Sequence, residues 1–311
     1  MKKHRLIFAG TPKLAVPTLL ALINDPRFEI AAVVTQPDMP SGRNLALTPP
    51  PVKVTAANYG LTVFQPQRIS HIADELRALA PEAIVVMGFS QLIPESVLKI
   101  PPFGCVNIHV ATLPKYRGSS VIQAPILNGD ETTGVTIMLM DKTLDTGPIL
   151  AHNEYRLQGT ETAESLTTAL AELGAKMLPD VLEKYLDGRI SPQAQDNSLA
   201  TYVGNLEKKD GLIDWSLSAQ KIERLVRALY PWPSAWTWIT GKQLKILEVD
   251  PNIIEIVMHK PGKTFLYNSC LAVQCGSGSL LIRRLQLEGK KAMTSEELIR
   301  GYRDFVGNIL G

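Results

Sequence analysis

The first half of the chain alternates short apolar runs with stretches of helical periodicity, and this alternation constrains the fold more than any other feature. Strands are predicted over residues 5–10, 29–35, 61–64, 82–87 and 104–109, and helices over residues 13–24 and 70–80. Strands separated by helices are typical of a parallel sheet covered by helices on both faces. The sequence therefore predicts an α/β fold for this half.

The domain organisation follows from changes in composition along the chain. Residues 133–140 and 147–154 predict an antiparallel strand pair at the sheet edge, because the connection between them is short. A helix over residues 162–186 closes this domain, and a linker rich in Gly, Pro and Asn begins at about residue 187. Short strands separated by turn residues then indicate a small β-barrel. We expect a catalytic domain over residues 1–205, including the linker, and a second domain over residues 206–311.

Residues 36–51 lie between the second predicted strand and the next helix. This segment is too rich in Pro and Gly to predict a regular element. We therefore expect a long, mobile loop. Loops of this length inside a compact domain are more often functional than idle.

Composition excludes several classes of protein. No apolar run approaches the roughly 20 residues that span a bilayer, so we expect a cytoplasmic protein. The three cysteines lack the spacing of a zinc or redox site. The net charge is only +2, although residues from 206 onward hold 15 Lys and Arg against 11 Asp and Glu. An excess of this size is also what solvated surface lysines produce, so charge alone does not predict a nucleic-acid partner.

Phosphate-binding loops are disfavoured at the end of the first strand. Gly10 is followed by Thr11 and Pro12, without the further glycines of a dinucleotide-binding turn, and Pro12 removes a backbone N–H. The sequence also lacks the glycine-rich loop of nucleotide hydrolases. Neither a dinucleotide cofactor nor nucleotide hydrolysis is expected.

The strongest candidate for chemistry is the pair Asn107 and His109, at the carboxyl end of a predicted central strand. Side chains alternate along a strand, so both residues lie on one face. An amide that donates to a developing oxyanion, beside an imidazole that manages a proton, suits acyl or formyl transfer. The alternative is a polar pair that caps a strand end.

A carboxylate from the turn over residues 141–148 is the third candidate. Asp145 is placed to orient His109 and raise its basicity, and Asp141 is a rival from the same turn. Either carboxylate alone also fits a turn residue that accepts backbone hydrogen bonds. No serine elbow is present, which favours direct transfer over a covalent intermediate. No histidine has a partner at metal-ligand spacing, so no metal is expected.

Taken together, several short motifs resemble the folate-dependent formyltransferases. The shared catalytic-domain residues are Phe8 to Pro12, Asn107 and His109, Leu113 to Gly118, and Leu144 to Gly147. Further matches are typical of the branch that acts on initiator tRNA, and include Gln36 to Asp38, Thr48 with Pro49, Val52 with Lys53, Ile213 to Ser216, Arg227 with Ala228, and Pro231 to Pro233. The resemblance covers essentially the whole chain.

The resemblance implies a Rossmann-like catalytic domain followed by an OB-like β-barrel that helps to hold tRNA. It implies that 10-formyltetrahydrofolate is the donor and that the α-amine of methionine on initiator tRNA is the acceptor. Asn107 would then hold the formyl oxygen, His109 would polarise it or move the proton, and Asp145 would tune His109. The loop formed by Ala111, Thr112, Leu113 and Pro114 would bind the folate, and Arg43, Lys208 and Lys209 would bind tRNA. We expect a monomer.

Two departures from the family pattern bear on substrate binding. Residues 44–47 are less basic than the family loop after the Gly–Arg pair, and Val121 stands where a proline is common.

Two alternative functions remain open on the sequence. One is a formyltransferase that acts on a sugar-nucleotide amine. The other is a non-catalytic RNA-binding protein that uses the basic C-terminal domain.

Overall fold

The first part of the chain builds a mixed α/β fold. The computed structural model describes residues 3–41 and 46–311. Its first eleven strands are β1 (His4–Gly10), β2 (Phe28–Val34), β3 (Met39–Ser41), β4 (Ala46–Thr48), β5 (Val63–Phe64), β6 (Ala83–Met87), β7 (Cys105–His109), β8 (Arg117–Gly118), β9 (Thr132–Leu139), β10 (Ile149–Arg156) and β11 (Tyr202–Val203). The helices between them are α1 (Val16–Ile23), α2 (Pro51–Asn58), α3 (Ala73–Ala78), α4 (Glu95–Leu98), α5 (Gln123–Asn128) and α6 (Ala163–Leu186).

Seven of these strands form one sheet in the order β10-β9-β7-β6-β1-β2-β5. Strands β7, β6, β1, β2 and β5 run parallel, and β9 pairs antiparallel with β7. Every residue of β6 is buried, as expected for a strand covered on both faces. The Rossmann-like α/β prediction is confirmed.

The strand pair predicted at the sheet edge is also present. The N–H of Leu139, at the end of β9, donates to the carbonyl of Pro148, just before β10, over 2.9 Å. At the other end of the pair, the backbone of Gly134 faces that of Asn153. The two strands therefore run antiparallel, with β10 outermost.

The prediction that residues 36–51 lack a regular element is wrong. Strands β3 and β4 pair antiparallel, with Met39 opposite Thr48 and Pro40 opposite Leu47. Proline is compatible with this small hairpin because both of its strands are edge strands, where an N–H is not required at every position. Helix α2 then begins at Pro51, where a missing N–H costs no hydrogen bond.

The C-terminal part of the chain forms a second sheet. Its elements are α7 (Ala219–Leu229), β12 (Ala235–Ile239), β13 (Lys242–Val249), β14 (Thr264–Tyr267), β15 (Cys270–Gln274), β16 (Ser279–Leu287), β17 (Met293–Thr294) and α8 (Ser295–Gly301). The strands pair antiparallel in the order β12-β13-β16-β15-β14, with β17 beside β16. The second domain, which the sequence predicts as an OB-like β-barrel, is confirmed as an antiparallel β domain.

Trp215 explains one of the sequence motifs noted above. Its side chain is buried in the core of the second sheet, and its indole N–H donates to the hydroxyl of Thr237 over 3.0 Å. The preceding Asp214 accepts hydrogen bonds from the N–H and hydroxyl of Ser216 and so forms a local turn. This motif therefore stabilises the C-terminal core.

The internal contacts divide the chain into two compact units that are not continuous in sequence. The first contains residues 1–121, 133–156 and 167–203, and the second contains residues 122–132, 157–166 and 204–311. Helix α5 packs against α7, and the start of α6 belongs to the same unit. The continuous domain limits expected from the sequence, 1–205 and 206–311, stay a prediction.

Candidate functional site

The candidate site lies at the carboxyl end of β7. This strand is held between β6 and β9, with Asn107 opposite Val86 on one side and Met138 on the other. Asn107 is half-buried, so its amide remains partly accessible, whereas the side chain of His109 is 6% exposed. Both polar side chains are therefore held on an ordered strand inside the sheet.

Both ring nitrogens of His109 face groups of the protein. Its Nε2 atom lies 2.9 Å from the carbonyl oxygen of Tyr116, and its Nδ1 atom lies 3.7 Å from Oδ1 of Asp145. A carbonyl only accepts, so Nε2 carries the hydrogen in that contact. The structure brings together the histidine and the carboxylate that the sequence pairs.

The turn that carries Asp145 is tightly held. Asp145 adopts a left-handed backbone conformation with φ of 54°, and its Oδ2 atom accepts the N–H of Gly118 over 2.8 Å. At Gly147, a Cβ atom would lie 1.9 Å from the carbonyl oxygen of Leu139, so only glycine fits there. The turn is thus fixed by its backbone as well as by its side chains.

Asp141, the rival carboxylate, is used within its own turn. Its side chain accepts hydrogen bonds from the N–H of Thr143 and from the hydroxyls of Thr143 and Thr146. Burial raises the pKa of the Asp141 carboxyl, but the hydrogen bonds from Thr146 and Thr143 outweigh burial and hold the pKa below its usual value. Geometry therefore favours Asp145 as the partner of His109.

Thr136 fixes the loop that follows β7. Its buried hydroxyl donates to the carbonyl of Ala111 over 2.7 Å and accepts the N–H of Leu113 over 3.0 Å. The side chains of Ala111 and Leu113 are buried, whereas Thr112 and Pro114 are half-buried. All four predicted folate residues thus lie in one ordered loop beside the candidate catalytic strand.

Asp38 lies at the start of the segment that carries the β3–β4 hairpin. Both oxygens of its carboxylate lie 2.8 Å from the Lys53 ammonium, and its Oδ1 atom accepts from the Gln65 amide over 2.7 Å. The Gln65 amide and the Lys53 ammonium hold the pKa of Asp38 below its usual value. This contact ties the start of the segment to α2, which follows it.

The predicted tRNA-binding residues fall in different parts of the chain. Arg43 lies outside the described residues. Lys208 and Lys209 are exposed on a short 3-10 helix, Lys208–Gly211, in the second unit. Lys209 forms an ion pair with Glu207 over 2.8 Å.

The sequence did not single out Arg117, Thr136 or Gln195 as site residues. The side chain of Arg117 is 1% exposed and contacts Gln195, which in turn contacts the Asp145 turn. Thr136 is one of many strand residues, and Gln195 lies in a segment whose composition predicts a linker. Arg117 lies within a family motif, but the other two carry no local signal.

Across residues 3–41 and 46–311, no group of three or more His, Cys, Asp or Glu side chains is arranged to hold a metal ion. Within the same residues, no helix has the length and apolar character needed to cross a membrane.

Two family models match the chain. The formyl transferase model matches residues 3–182, and the formyl transferase C-terminal domain model matches residues 205–303. The first covers Asn107, His109 and Asp145, and the second covers the C-terminal sheet. The chain therefore matches both parts of a known two-part family.

Curated relatives match over the full length. The methionyl-tRNA formyltransferase of Lachnospira eligens is 45% identical over an alignment of 314 residues, which covers 99% of this chain and 99% of that protein. That of Geobacter sulfurreducens is 42% identical over 310 residues, which cover 99% of this chain and 96% of that protein.

Solved structures share the fold at low sequence identity. HypX from Aquifex aeolicus, in complex with tetrahydrofolic acid, aligns with a TM-score of 0.67 and 16% identity over 97% of this chain and 48% of that one. Methionyl-tRNA formyltransferase from Clostridium thermocellum aligns with a TM-score of 0.56 and 18% identity over 90% of this chain and 98% of that one. On the strength of its family matches and full-length relatives, the chain belongs to the formyl transferase family and, within it, to the methionyl-tRNA formyltransferases.

Proposed function

We propose that Asn107, His109 and Asp145 perform formyl transfer directly between two bound substrates. The donor is 10-formyltetrahydrofolate, and the acceptor is the α-amine of methionine on initiator tRNA. The observation that carries the proposal is the placement of His109 Nδ1 3.7 Å from the Asp145 carboxylate, two residues along the same strand from Asn107. The full-length relatives named above support the choice of acceptor.

Asn107 stabilises negative charge on the formyl oxygen. When the acceptor amine attacks the formyl carbon, the carbonyl double bond opens and its electron pair moves to the oxygen. An amide N–H directed at that oxygen is worth most in a site shielded from water. Asn107 is half-buried on a fixed strand, which supports this role.

His109 handles the proton that the amine must lose. Its Nε2 atom is engaged with the carbonyl of Tyr116, so Nδ1 is the nitrogen that accepts the proton. Asp145 then stabilises the charged ring across the 3.7 Å contact. The proton passes to the departing nitrogen of the folate as the formyl carbon–nitrogen bond breaks, so the enzyme is regenerated without a covalent intermediate.

The loop formed by Ala111, Thr112, Leu113 and Pro114 binds the folate beside Asn107. Support for this assignment comes from Thr136, which fixes the loop backbone at two points. A preformed loop loses little conformational freedom when it binds a flat ring. The residues therefore fit the folate as a substrate.

Arg43, Lys208 and Lys209 contact the tRNA backbone. The exposed positions of Lys208 and Lys209 support this role, since phosphate contacts need accessible cations.

The enzyme acts in the cytoplasm, where charged initiator tRNA is used, and works as a monomer. A sedimentation measurement at working concentration tests the monomer.

The decisive experiment is a formylation assay. Purified protein receives 10-formyltetrahydrofolate and charged initiator methionyl-tRNA, and formyl-methionine is measured after hydrolysis of the ester. We expect formyl-methionine from wild type and a much slower rate from His109→Ala. A sugar-nucleotide amine serves as a second acceptor. Transfer to the sugar with none to tRNA would replace the proposed acceptor, and no transfer to either would reject the proposal.

A further inference from the structure

We propose that Gln195 is a positioning residue that holds Asp145 in place for the transfer reaction. This inference rests on the proposed role of Asp145. Gln195 follows α6, in the segment whose composition predicts only a linker. The Gln195 side chain nevertheless reaches the turn that carries the candidate carboxylate, 50 residues away in sequence.

The side-chain amide nitrogen of Gln195 binds the backbone of the Asp145 turn at two points. Its Nε2 atom donates to the carbonyl of Asp145 over 2.8 Å and to the carbonyl of Gly147 over 2.7 Å. Asp145 has a left-handed backbone, which a non-glycine residue keeps only when its surroundings hold it there. Gln195 supplies two of the contacts that do so.

Arg117 binds the oxygen of the same side-chain amide. Its Nε and Nη2 atoms donate to Oε1 of Gln195 over 3.2 and 2.7 Å, and Nη2 also donates to Asn197 over 2.7 Å. The Nη1 atom donates to the hydroxyl of Tyr202 over 3.0 Å. Because the guanidinium only donates and the two turn carbonyls only accept, the orientation of the Gln195 amide is determined.

The backbone of this segment is tied to the same loops. Gln193 and Ile149 exchange two backbone hydrogen bonds of 2.8 and 2.7 Å, and the N–H of Arg117 donates to the carbonyl of Thr201 over 2.8 Å. The hydroxyl of Thr201 accepts the N–H of Tyr116, whose carbonyl contacts His109. The segment therefore braces the Asp145 turn and the Tyr116 loop.

Gln195 acts through Asp145 rather than on the substrate. Its amide nitrogen and its oxygen are each engaged by two contacts with the protein. Displacing a catalytic group by about 1 Å lowers the rate by up to about 100-fold. A change at Gln195 should therefore lower kcat and leave the KM of both substrates near wild type.

Gln195→Glu is the most informative variant. The carboxylate keeps the acceptor for Arg117, but it cannot donate to the two carbonyls of the turn. We expect a fall in kcat of about 10- to 100-fold, with each KM within about 3-fold of wild type. Gln195→Met, which preserves side-chain length, repeats the test if the glutamate variant does not fold. Gln193→Ala is the matched control, because its side chain is exposed and donates to the carbonyl of Ser191.

A double-mutant cycle with Asp145→Asn separates positioning from other effects. If Gln195 acts through Asp145, Gln195→Glu should cost less than about 3-fold in the Asp145→Asn background. Equal losses in both backgrounds, or an equal loss in Gln193→Ala, would overturn the proposal. Wild-type kcat in Gln195→Glu with a low kcat in Asp145→Asn would overturn it as well but leave the proposed function standing. Wild-type kcat in Asp145→Asn would overturn both.

Discussion

The Nε2 atom of His109 donates to the carbonyl oxygen of Tyr116 over 2.9 Å. Since this contact uses one ring nitrogen, the proton transfer proposed for His109 falls to Nδ1, on the side of the ring that faces Asp145. Tyr116 has a left-handed backbone with φ of 61°, which directs its carbonyl back toward β7. The orientation of the imidazole is thus set by the main chain of the loop that follows it.

Replacing Asn107 or His109 by Ala should lower kcat by about 100-fold or more for either change. The first variant lacks the donor to the developing oxyanion, and the second lacks the group that moves the proton. The measurement is single-turnover formylation of charged initiator tRNA. His152→Ala and Asn153→Ala are matched controls, since both side chains are exposed on β10. Intact activity in either β7 variant would contradict the proposed site and favour an RNA-binding role.

Thr136→Val should destabilise the protein by about 1 to 3 kcal/mol. The change leaves the buried N–H of Leu113 and carbonyl of Ala111 without their shared partner. Because this loop is assigned to the folate, the KM for 10-formyltetrahydrofolate should rise more than the KM for tRNA. Urea unfolding and steady-state kinetics test the two effects. Thr132→Val, at the exposed start of the same strand, is the control, and equal effects of both changes would reject the loop assignment.

Arg43→Ala should weaken the use of tRNA and leave folate binding near wild type. Loss of one phosphate contact makes the negative slope of log affinity against log salt shallower by about 1. The measurement is the KM for charged tRNA at several salt concentrations, beside the KM for folate. Lys208→Ala and Lys209→Ala should act in the same direction. Equal damage to the use of both substrates would contradict the assignment of Arg43.

Asp250 provides a prediction on pH and stability in the C-terminal unit. Burial raises the pKa of its carboxyl, but the N–H of Asn252 and the Arg283 guanidinium outweigh burial, so the pKa lies below the usual 3.8. A lowered pKa in the folded state means that the carboxylate stabilises the fold above about pH 4, and that this stabilisation is lost as pH falls through the lowered value.

Asp250→Asn should therefore destabilise the protein at pH 7 by about 1 to 2 kcal/mol, and the difference from wild type should shrink toward pH 3. Urea unfolding across that range measures it. Glu248→Gln changes an exposed side chain on β13, which ends just before Asp250, and is the control. A difference that stays constant or grows at low pH would reject the assignment.

Much of the fold could be predicted because the apolar pattern itself distinguishes strands from helices. The strand that ends at His109 is a short run of mostly buried residues after a glycine. Helix α7 begins after Ser218, whose side chain accepts the N–H of Lys221. The hairpin of β3 and β4 was missed, since Pro40 and the neighbouring glycine and prolines conceal a two-stranded pairing.

The candidate site could be predicted only in part. Asn107 and His109 share a strand, so their proximity follows from spacing. The contact of Arg117 with Gln195 joins residues 78 apart, and no local pattern encodes such a contact. Glutamine in a segment with Pro, Asn and Ser has the composition of a linker, and only the folded backbone brings its amide to the Asp145 turn.

The discontinuous units constrain how this enzyme can be recombined with its relatives. The chain passes from one unit to the other at five points, after residues 121, 132, 156, 166 and 203. A chimera that exchanges only residues 204–311 would place foreign side chains against the native residues 122–132 and 157–166, which belong to the same compact unit. A working exchange of the C-terminal unit has to carry those two inserts with it.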